Sequence, residues 1–212
     1  KSDWNLAPLF GGPEVAHYHQ AVALVVAETF EQARAASNMI HVDYERTDGT
    51  FDLAAAAPAA EGADGNQDRS TLGDFDAAFA AAPVKVDARY TTPDESHAMM
   101  EPHATIAMWE GDKLTLLTSN QMINWAKTAM GQILDIPAKN IRVDSPFVGG
   151  GFGGKLFIRS DAVLAALGAR EAGRPVKVTL QRPLMFNNTT HRHATMQHLR
   201  IGAEADGRIT TI

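Results

Sequence analysis

Residues 148–155 read VGGGFGGK, and this glycine-rich segment is the first place in the chain where chemistry can be expected. Because glycine has no side chain, the backbone N–H groups of such a loop can approach an anion closely. Gly149, Gly151 and Gly154 match the spacing of a dinucleotide-binding loop. The acidic residue that such a site needs further along is matched only by Glu171, which lies inside a predicted helix and is badly placed for a ribose.

The same residues also begin like a phosphate-binding P-loop. Gly149 to Gly154 followed by Lys155 fits that motif as far as the lysine, but Leu156 stands where a hydroxyl would have to bind Mg²⁺. The P-loop interpretation therefore fails at its metal position. A plain glycine turn between a strand and a helix is the simplest alternative, and spacing alone leaves it open.

A second polar cluster, TSNQ at 118–121, ends a predicted strand and meets the start of a predicted helix. Binding sites often collect at such strand ends. Gln121 is a candidate site residue because its amide offers both donors and an acceptor. The alternative is ordinary helix capping by Ser119 or Asn120.

A further candidate is Glu101, which lies within the segment SHAMMEPHATIAMW at 96–109. A glutamate at the start of a strand could act as a general base, although no partner for it is apparent in the sequence. The alternative is a buried turn in which Met99 and Met100 fill space.

Several histidines have residue types and spacings that suggest metal ligands. No three of them form a ligand set with suitable spacing, so we interpret them as hydrogen-bonded or solvent-facing structural histidines. The candidates are His97, His103, His191, His193 and the pair His17 and His19. The sequence therefore predicts no metal ion bound by protein side chains.

Composition limits the possible partners and cofactors. The chain has 212 residues and a formal charge of −6. It contains no basic stripe, so binding to nucleic acid is not predicted. It contains no cysteine, which excludes disulfides, thiolate metal sites and iron–sulfur ligation by this chain. A chain without cysteine is compatible with either the bacterial periplasm or the cytoplasm. The sequence contains no run of 18 apolar residues, so it predicts no membrane span.

Near the start of the chain, the pattern predicts a strand at 21–28, a helix at 29–40 and a strand at 41–45. Thr29 and Gln32 have the spacing of a capping box at the start of that helix. Alanine, glycine and acidic residues then dominate, and they predict a linker and a domain boundary.

Beyond the linker, strands, helices and hairpins alternate, which predicts an α+β fold with a mixed sheet rather than a doubly wound parallel sheet. Hairpins are expected around Gly111-Asp112 and Asp206-Gly207. The predicted helices are 73–83, 122–134 and 159–173, and the predicted strands or hairpins are 84–93, 104–121, 140–148, 174–183 and 197–212.

Taken together, the order MMEPHATIAMWEGDKLTLLTSNQ, a helix, RVDSPFVGGGFGGK, then GRPVKVTLQRP and THR resembles the molybdenum-binding large subunit of the xanthine dehydrogenase/aldehyde oxidase family. The resemblance is closest to the bacterial periplasmic aldehyde oxidoreductases. It implies that 1–48 is the C-terminal part of an α/β hammerhead domain, 49–70 a linker, and 71–212 the N-terminal part of the molybdopterin-binding domain.

The resemblance also implies a chemistry, in which a molybdenum hydroxylase oxidises an aldehyde to a carboxylic acid with water as the oxygen source. The metal would be held by a pterin dinucleotide, with cytosine as the expected base, and not by side chains. By the family's motif, Gln121 and Met122 lie beside the cofactor, as do Gly151, Phe152 and Gly153 of the glycine loop.

The resemblance points to a substrate class through one position. Members that oxidise xanthine have a glutamate directly after the lysine of GGFGGK, whereas this chain has Leu156. Leucine suits an aliphatic or aromatic aldehyde, so Leu156 and Phe152 are expected to line the substrate pocket. A xanthine or N-heterocycle dehydrogenase of the same family is the alternative.

The family's catalytic glutamate belongs to a GxGE-like motif near the C-terminus of the subunit, and no such motif occurs here. We therefore expect no catalytic residue in this chain, and a fragment that is inactive alone. The remaining part of the molybdenum subunit, an iron–sulfur subunit with [2Fe-2S] centres and an FAD subunit are the expected partners. A phosphate- or nucleotide-binding module using the glycine loop, and a scaffold without cofactor, remain the alternatives.

Overall fold

A computed structural model describes residues 13–60 and 72–212. The helices are α1 (Phe30–Ser37), α2 (Leu53–Ala60), α3 (Phe75–Ala81), α4 (Ile123–Leu134) and α5 (Ser160–Ala172). The strands are β1 (Val84–Thr92), β2 (Glu95–Ser96), β3 (Ala104–Glu110), β4 (Lys113–Thr118), β5 (Ile141–Asp144), β6 (Val176–Thr179), β7 (His191–Arg192), β8 (Thr195–Ala203) and β9 (Ile209–Thr211). Short 3₁₀ turns occupy Ala138–Asn140 and Arg182–Phe186.

The chain forms two compact units that alternate along the sequence. The larger unit consists of Lys1–Asp43 and Ser96–His191, and the smaller one of Tyr44–Glu95 and Arg192–Ile212. The strands and helices of both units make a mixed α and β architecture, which confirms the predicted α+β class. None of the helices in the described ranges is long and apolar enough to cross a bilayer.

The larger unit is built on a four-stranded mixed sheet in the order β5-β4-β3-β6. The β3–β4 hairpin turns at Gly111, whose φ of 60° suits glycine, and pairs Thr105 with Thr118. β5 lies parallel to β4, and β6 lies antiparallel to β3. The alternation of buried Leu114 and Leu116 along β4 directs one face of the sheet into the core.

Two helices complete that core. α5 packs against β3 and β6, and α4 packs against β5. Alanine dominates the buried side of α5, which allows the helix to approach the sheet closely. The shared core consists of Ala107, Leu114, Leu116, Ala126, Met130, Ile141, Val143, Ile158, Ala162, Val163, Ala165, Ala166, Ala169 and Val176.

The smaller unit contains a three-stranded antiparallel sheet with β8 between β1 and β9. β1 pairs with β8 along its whole length, from Val84 opposite Ala203 to Thr92 opposite Thr195. Helix α3 begins at an Asp74 cap, whose side chain accepts a hydrogen bond from the backbone of Ala77 at 3.0 Å. The predicted 73–83 helix and the 197–212 hairpin are thus confirmed.

Near the start of the described chain, only the helix of the predicted strand–helix–strand unit forms. α1 has the reciprocal capping box of Thr29 and Gln32 that the sequence predicts. The predicted strands at 21–28 and 41–45 are wrong, because neither run pairs in any sheet of the described residues. Valine favours strands only where a neighbouring strand and a half-buried face are available, and Val22 and Val26 are exposed.

The predicted linker differs from expectation in its first half. α2 forms there because alanine has the highest helix propensity and the carboxylate of Asp52 caps its first turn, accepting from the backbone of Ala55 at 3.1 Å. Residues 61–71 lie outside the described ranges. The division into 1–48, 49–70 and 71–212 stays a prediction, and the two compact units follow a different partition of the chain.

Candidate functional site

The glycine loop has an unusual backbone. Gly149, Gly150 and Gly153 have φ values of 55°, 89° and 94°, and Phe152 between them has a φ of 52°. A left-handed conformation costs a residue with a side chain about 1–2 kcal/mol. The Phe152 ring is 74% exposed, so burial of the ring does not compensate for that cost. Contacts of the neighbouring residues must therefore hold Phe152 in this conformation, a pattern typical of functional loops.

Three glycines are required by contacts within the protein itself. A side chain at Gly149 would collide with Glu101, and one at Gly151 would collide with the amide of Gln121. A Cβ at Gly154 would lie 2.5 Å from the Cε of Met99. The loop is therefore bare at these positions because it packs tightly on its own chain.

Gln121 is fixed to the loop by three hydrogen bonds. Its backbone N–H donates to the carbonyl of Lys155 at 2.8 Å. Its side-chain Oε1 accepts from the backbone N–H groups of Gly153 and Lys155, each at 3.2 Å. These two donors require the oxygen on the loop side, so the Nε2 amide group is left with both of its hydrogens available. Gln121 itself is exposed.

Lys155 lies at the base of the loop and is fully buried, with 0% of its side chain exposed. Its ammonium donates to Glu101 Oε2 and Ser119 Oγ, both at 2.8 Å, and to the carbonyl of Val148. All three of its hydrogens are thus used inside the protein. The ammonium is not available to a phosphate, which removes the physical basis of the nucleotide-binding alternative.

Glu101 also accepts a hydrogen bond from Ser119 Oγ at 2.8 Å. Burial raises the pKa of the Glu101 carboxyl, but the hydrogen bonds from Lys155 and Ser119 outweigh burial and hold the pKa below its usual value. An ionised, paired carboxylate is a weak general base. The structure thus supplies the partner of Glu101 that the sequence did not show, and its role is structural.

The dinucleotide-binding alternative also lacks its geometry. Such a site needs the glycine loop to open directly into a helix, whose N-terminus faces the pyrophosphate. Here α5 begins only at Ser160, and Glu171 is exposed in the last turn of that helix.

The other predicted site residues lie around the loop. Met122 is half-buried just before α4, and its backbone N–H donates to the side-chain oxygen of Asn120 at 2.8 Å. Leu156 is half-buried, with its Cδ1 3.9 Å from the position of a Cβ on Gly153. The fold therefore brings six predicted site residues into one cluster: Gln121, Met122, Gly151, Phe152, Gly153 and Leu156. Gln121 and Gly151 are 30 positions apart in the sequence.

Two of the histidines singled out in the sequence hold backbone around this cluster. His97 Nδ1 donates to the carbonyl of Thr190 at 2.9 Å, and its Nε2 lies 3.6 Å from the position of a Cβ on Gly153. His103 donates from Nε2 to the carbonyl of Gly154 at 3.3 Å. Burial, with the charges of Lys155 and Arg159, lowers the pKa of His103 to about 4, so its ring is neutral. Along the chain, His191 is in β7 and His193 follows it.

A buried carboxyl group near the site was missed by sequence reasoning. Asp161, in the first turn of α5, is 2% exposed and accepts a hydrogen bond from Thr105 Oγ1 at 2.6 Å. Burial raises the pKa of Asp161 to about 6, against the opposing effects of that bond and of backbone N–H groups. An aspartate at a helix start is ordinarily a solvent-exposed cap, so its burial could not be inferred from the sequence.

Comparisons with known proteins place these residues in a family context. Residues 60–212 match the family model of the molybdopterin cofactor-binding domain, and residues 2–48 match that of the aldehyde oxidase and xanthine dehydrogenase a/b hammerhead domain. The chain is 58% identical over 212 residues to the aldehyde oxidoreductase molybdenum-binding subunit PaoC of Escherichia coli K12, covering 100% of this chain and 29% of that subunit.

More distant proteins extend the comparison. The putative xanthine dehydrogenase molybdenum-binding subunit XdhA of the same organism is 33% identical over 202 residues, which cover 92% of this chain and 27% of XdhA. Quinoline 2-oxidoreductase from Pseudomonas putida 86 has a similar structure, with a TM-score of 0.73 and 26% identity over 86% of this chain and 24% of that one. The chain spans less than a third of the length of these proteins.

Proposed function

Because the chain belongs to the aldehyde oxidase and xanthine dehydrogenase family and contains its molybdopterin cofactor-binding domain, we propose that it is part of the molybdenum-binding subunit of an aldehyde oxidoreductase. The similarity to a subunit named as an aldehyde oxidoreductase, 58% against 33% for one named as a xanthine dehydrogenase, supports aldehydes as substrates. Leu156 supports the same choice, because an apolar side chain gives no hydrogen bond to the polar edge of a purine.

The residues of the cluster fit a molybdenum–pterin group. The Nε2 of Gln121 has two hydrogens to donate and makes no hydrogen bond within the described residues, while its oxygen is held by the loop. Phe152 precedes the Gly153 that donates to Gln121, and it presents an exposed ring on a backbone that is costly to maintain. A donor next to an apolar wall suits an anionic metal–oxygen group.

Gln121, Met122, Gly151, Phe152 and Gly153 are proposed to lie against that group. When bound, the group supplies oxygen-atom and electron transfer at a substrate carbon. The part of this chain is to bind and orient: Gln121 donates its amide hydrogens toward the cofactor, and its own geometry is preset by the loop. Phe152 and Leu156 exclude water from the substrate side.

No residue of this chain is proposed to move the proton in the reaction. Glu101 packs against the glycine loop at Gly149, and it is committed to Lys155 and Ser119 with a lowered pKa. A general base works best with a pKa near the operating pH. The base is therefore expected in the longer polypeptide, so this chain alone would be inactive.

The proposed assembly includes further cofactors on other chains. These 212 residues contain no cysteine, so they offer no thiolate ligands for iron–sulfur clusters, which would have to be bound elsewhere. We propose an iron–sulfur subunit with [2Fe-2S] clusters and an FAD subunit, as the family resemblance implies. A cytosine dinucleotide form of the pterin is proposed on the same basis.

Substrate class is tested by Leu156→Glu in the full-length enzyme with its partner subunits. A carboxylate at this half-buried position disfavours an apolar aldehyde, so kcat/KM for an aromatic aldehyde should fall about tenfold or more. Leu72→Glu is the matched control, because Leu72 is almost fully exposed and should tolerate the charge. Steady-state kinetics with an aldehyde and with xanthine measure both effects. Unchanged aldehyde kinetics in the Leu156 variant, or xanthine as the better wild-type substrate, would contradict the assignment.

A further inference from the structure

The buried network of Lys155, Glu101 and Ser119 has no part in the chemistry proposed above, yet it lies directly beneath the residues that do. We propose that Lys155 is a positioning residue, whose ammonium fixes the glycine loop so that the Gln121 amide and the Phe152 ring face the cofactor. This inference rests on the proposed function of the cluster.

Lys155 connects both ends of the loop. Lys155 follows the last glycine of the loop, and its Nζ donates to the carbonyl of Val148, which precedes the first glycine. One residue thus joins the two ends of the loop. Residues 149–154 connect these two points, and the ammonium is fully buried. Gly149 adds a tie to the same network, since its carbonyl accepts from the backbone N–H of Glu101 at 3.2 Å.

The position of Gln121 depends directly on the same lysine. The backbone N–H of Lys155 donates to Gln121 Oε1 at 3.2 Å, and the backbone carbonyl of Lys155 accepts from the N–H of Gln121 at 2.8 Å. A shift of Lys155 therefore changes both bonds at once. The remaining bond of the Gln121 side chain comes from Gly153, next to Phe152, so the shift would also reach the exposed ring.

The chemistry of the network suits positioning. Removing an ammonium from water is expensive unless each of its hydrogens is paired, and here three acceptors surround it. Ser119 links the partners, because its hydroxyl approaches Glu101, Phe147 and Val148 as well as Lys155. A well-packed apolar group could replace a buried ion pair without loss of stability, so a network of this kind is better explained by the geometry that it fixes.

A purely structural role and a positioning role make different predictions. If Lys155 only stabilises the fold, its loss should reduce the yield of intact enzyme but leave each intact molecule normal. If Lys155 positions Gln121 and Phe152, molecules that fold and contain molybdenum should still turn over slowly. The metal centre itself should then show a changed environment.

The test uses the full-length enzyme with its partner subunits and the variants Lys155→Met and Glu101→Gln. Lys139→Met is the matched control, because Lys139 is an exposed lysine outside the loop. Molybdenum is quantified by mass spectrometry, kcat and KM for an aldehyde are expressed per molybdenum, and the electron paramagnetic resonance spectrum of the reduced metal is recorded.

For Lys155→Met we expect kcat per molybdenum to fall roughly 10–100-fold with little change in KM, together with an altered resonance spectrum. Glu101→Gln keeps acceptor and donor groups in place and should have a smaller effect of the same kind. The Lys139 control should behave as wild type. If Lys155→Met fails to assemble, Ser119→Ala takes its place, with the same expected direction.

Wild-type kcat per molybdenum and an unchanged spectrum in the loop variants would overturn the positioning role. Loss of molybdenum from a variant whose remaining loaded molecules are normal would overturn it as well. Wild-type enzyme that contains no molybdenum, or oxidises no aldehyde, would instead contradict the proposed function itself, so the two failures are distinguishable.

Discussion

At the scale of single residues, the most informative feature of the cluster is the left-handed backbone conformation of Phe152. The chain places an aromatic residue where the backbone conformation favours glycine, and it leaves the ring exposed. A residue kept there for stability would be glycine. The ring is therefore better explained by what it contacts in the assembled enzyme.

Replacing Phe152 by glycine and by alanine separates the backbone from the ring. Phe152→Gly should be more stable than Phe152→Ala by about 1 kcal/mol, because only glycine adopts the left-handed conformation without penalty. Urea denaturation of the purified protein measures the difference. Equal stabilities would show that the backbone at this position relaxes and that no strain is held there.

Gly151 tests the contact between the loop and Gln121. An alanine Cβ would collide with the Gln121 amide, which can swing away but must then give up its loop hydrogen bonds. Gly151→Ala should cost about 1 kcal/mol for each bond lost and reduce aldehyde turnover of the full enzyme. Gly207→Ala, in an open turn of the smaller unit, should cost a similar amount of stability by backbone strain alone. Normal turnover in Gly151→Ala would contradict the role of Gln121.

At the scale of elements, local signals were predicted well and long-range ones were not. The capping box of α1, the Gly111 turn and the end of α5 at Gly173 follow from residues a few positions apart. The strand predicted at 21–28 failed because a strand needs a neighbour, which a valine run cannot specify.

The interior of the site shows the same limit. Lys155 and Glu101 are 54 positions apart, and only the meeting of the loop with the end of β4 brings them together. Read alone, the lysine resembled a phosphate ligand and the glutamate a general base. The site cluster was identified through the family resemblance, whereas the polar network beneath it required the fold.

The first turn of α5 supplies a prediction on pH. Asp161 is buried and its pKa is raised to about 6, above the usual unfolded value. The folded state therefore binds this proton more tightly, so the stabilisation is complete below about pH 4 and is lost as the pH rises through 6. Relative to Asp161→Asn, the wild type should lose roughly 2 kcal/mol of unfolding free energy from about pH 4 to about pH 7. Denaturation curves across that range measure it, and a pH-independent difference would show that the pKa of Asp161 is the same in the folded and unfolded states.

At the scale of the whole molecule, two compact units alternate along a chain that matches the cofactor-binding domain over most of its length. The larger unit contains the whole candidate cluster and the network that holds it. The described residues thus bring together an oriented amide at Gln121 and an exposed ring at Phe152, which we propose as one wall of a cofactor site. Under the proposed function, the remaining groups would come from the longer polypeptide and its partners.

The most direct test of this account is the molybdenum content of the purified full-length enzyme, measured by inductively coupled plasma mass spectrometry. The account predicts about one molybdenum per copy of the subunit, as expected for one cofactor per binding domain. It also predicts that Gln121→Ala, which removes the oriented donor, will change the aldehyde turnover measured per metal. A folded, assembled enzyme without molybdenum would contradict the central claim.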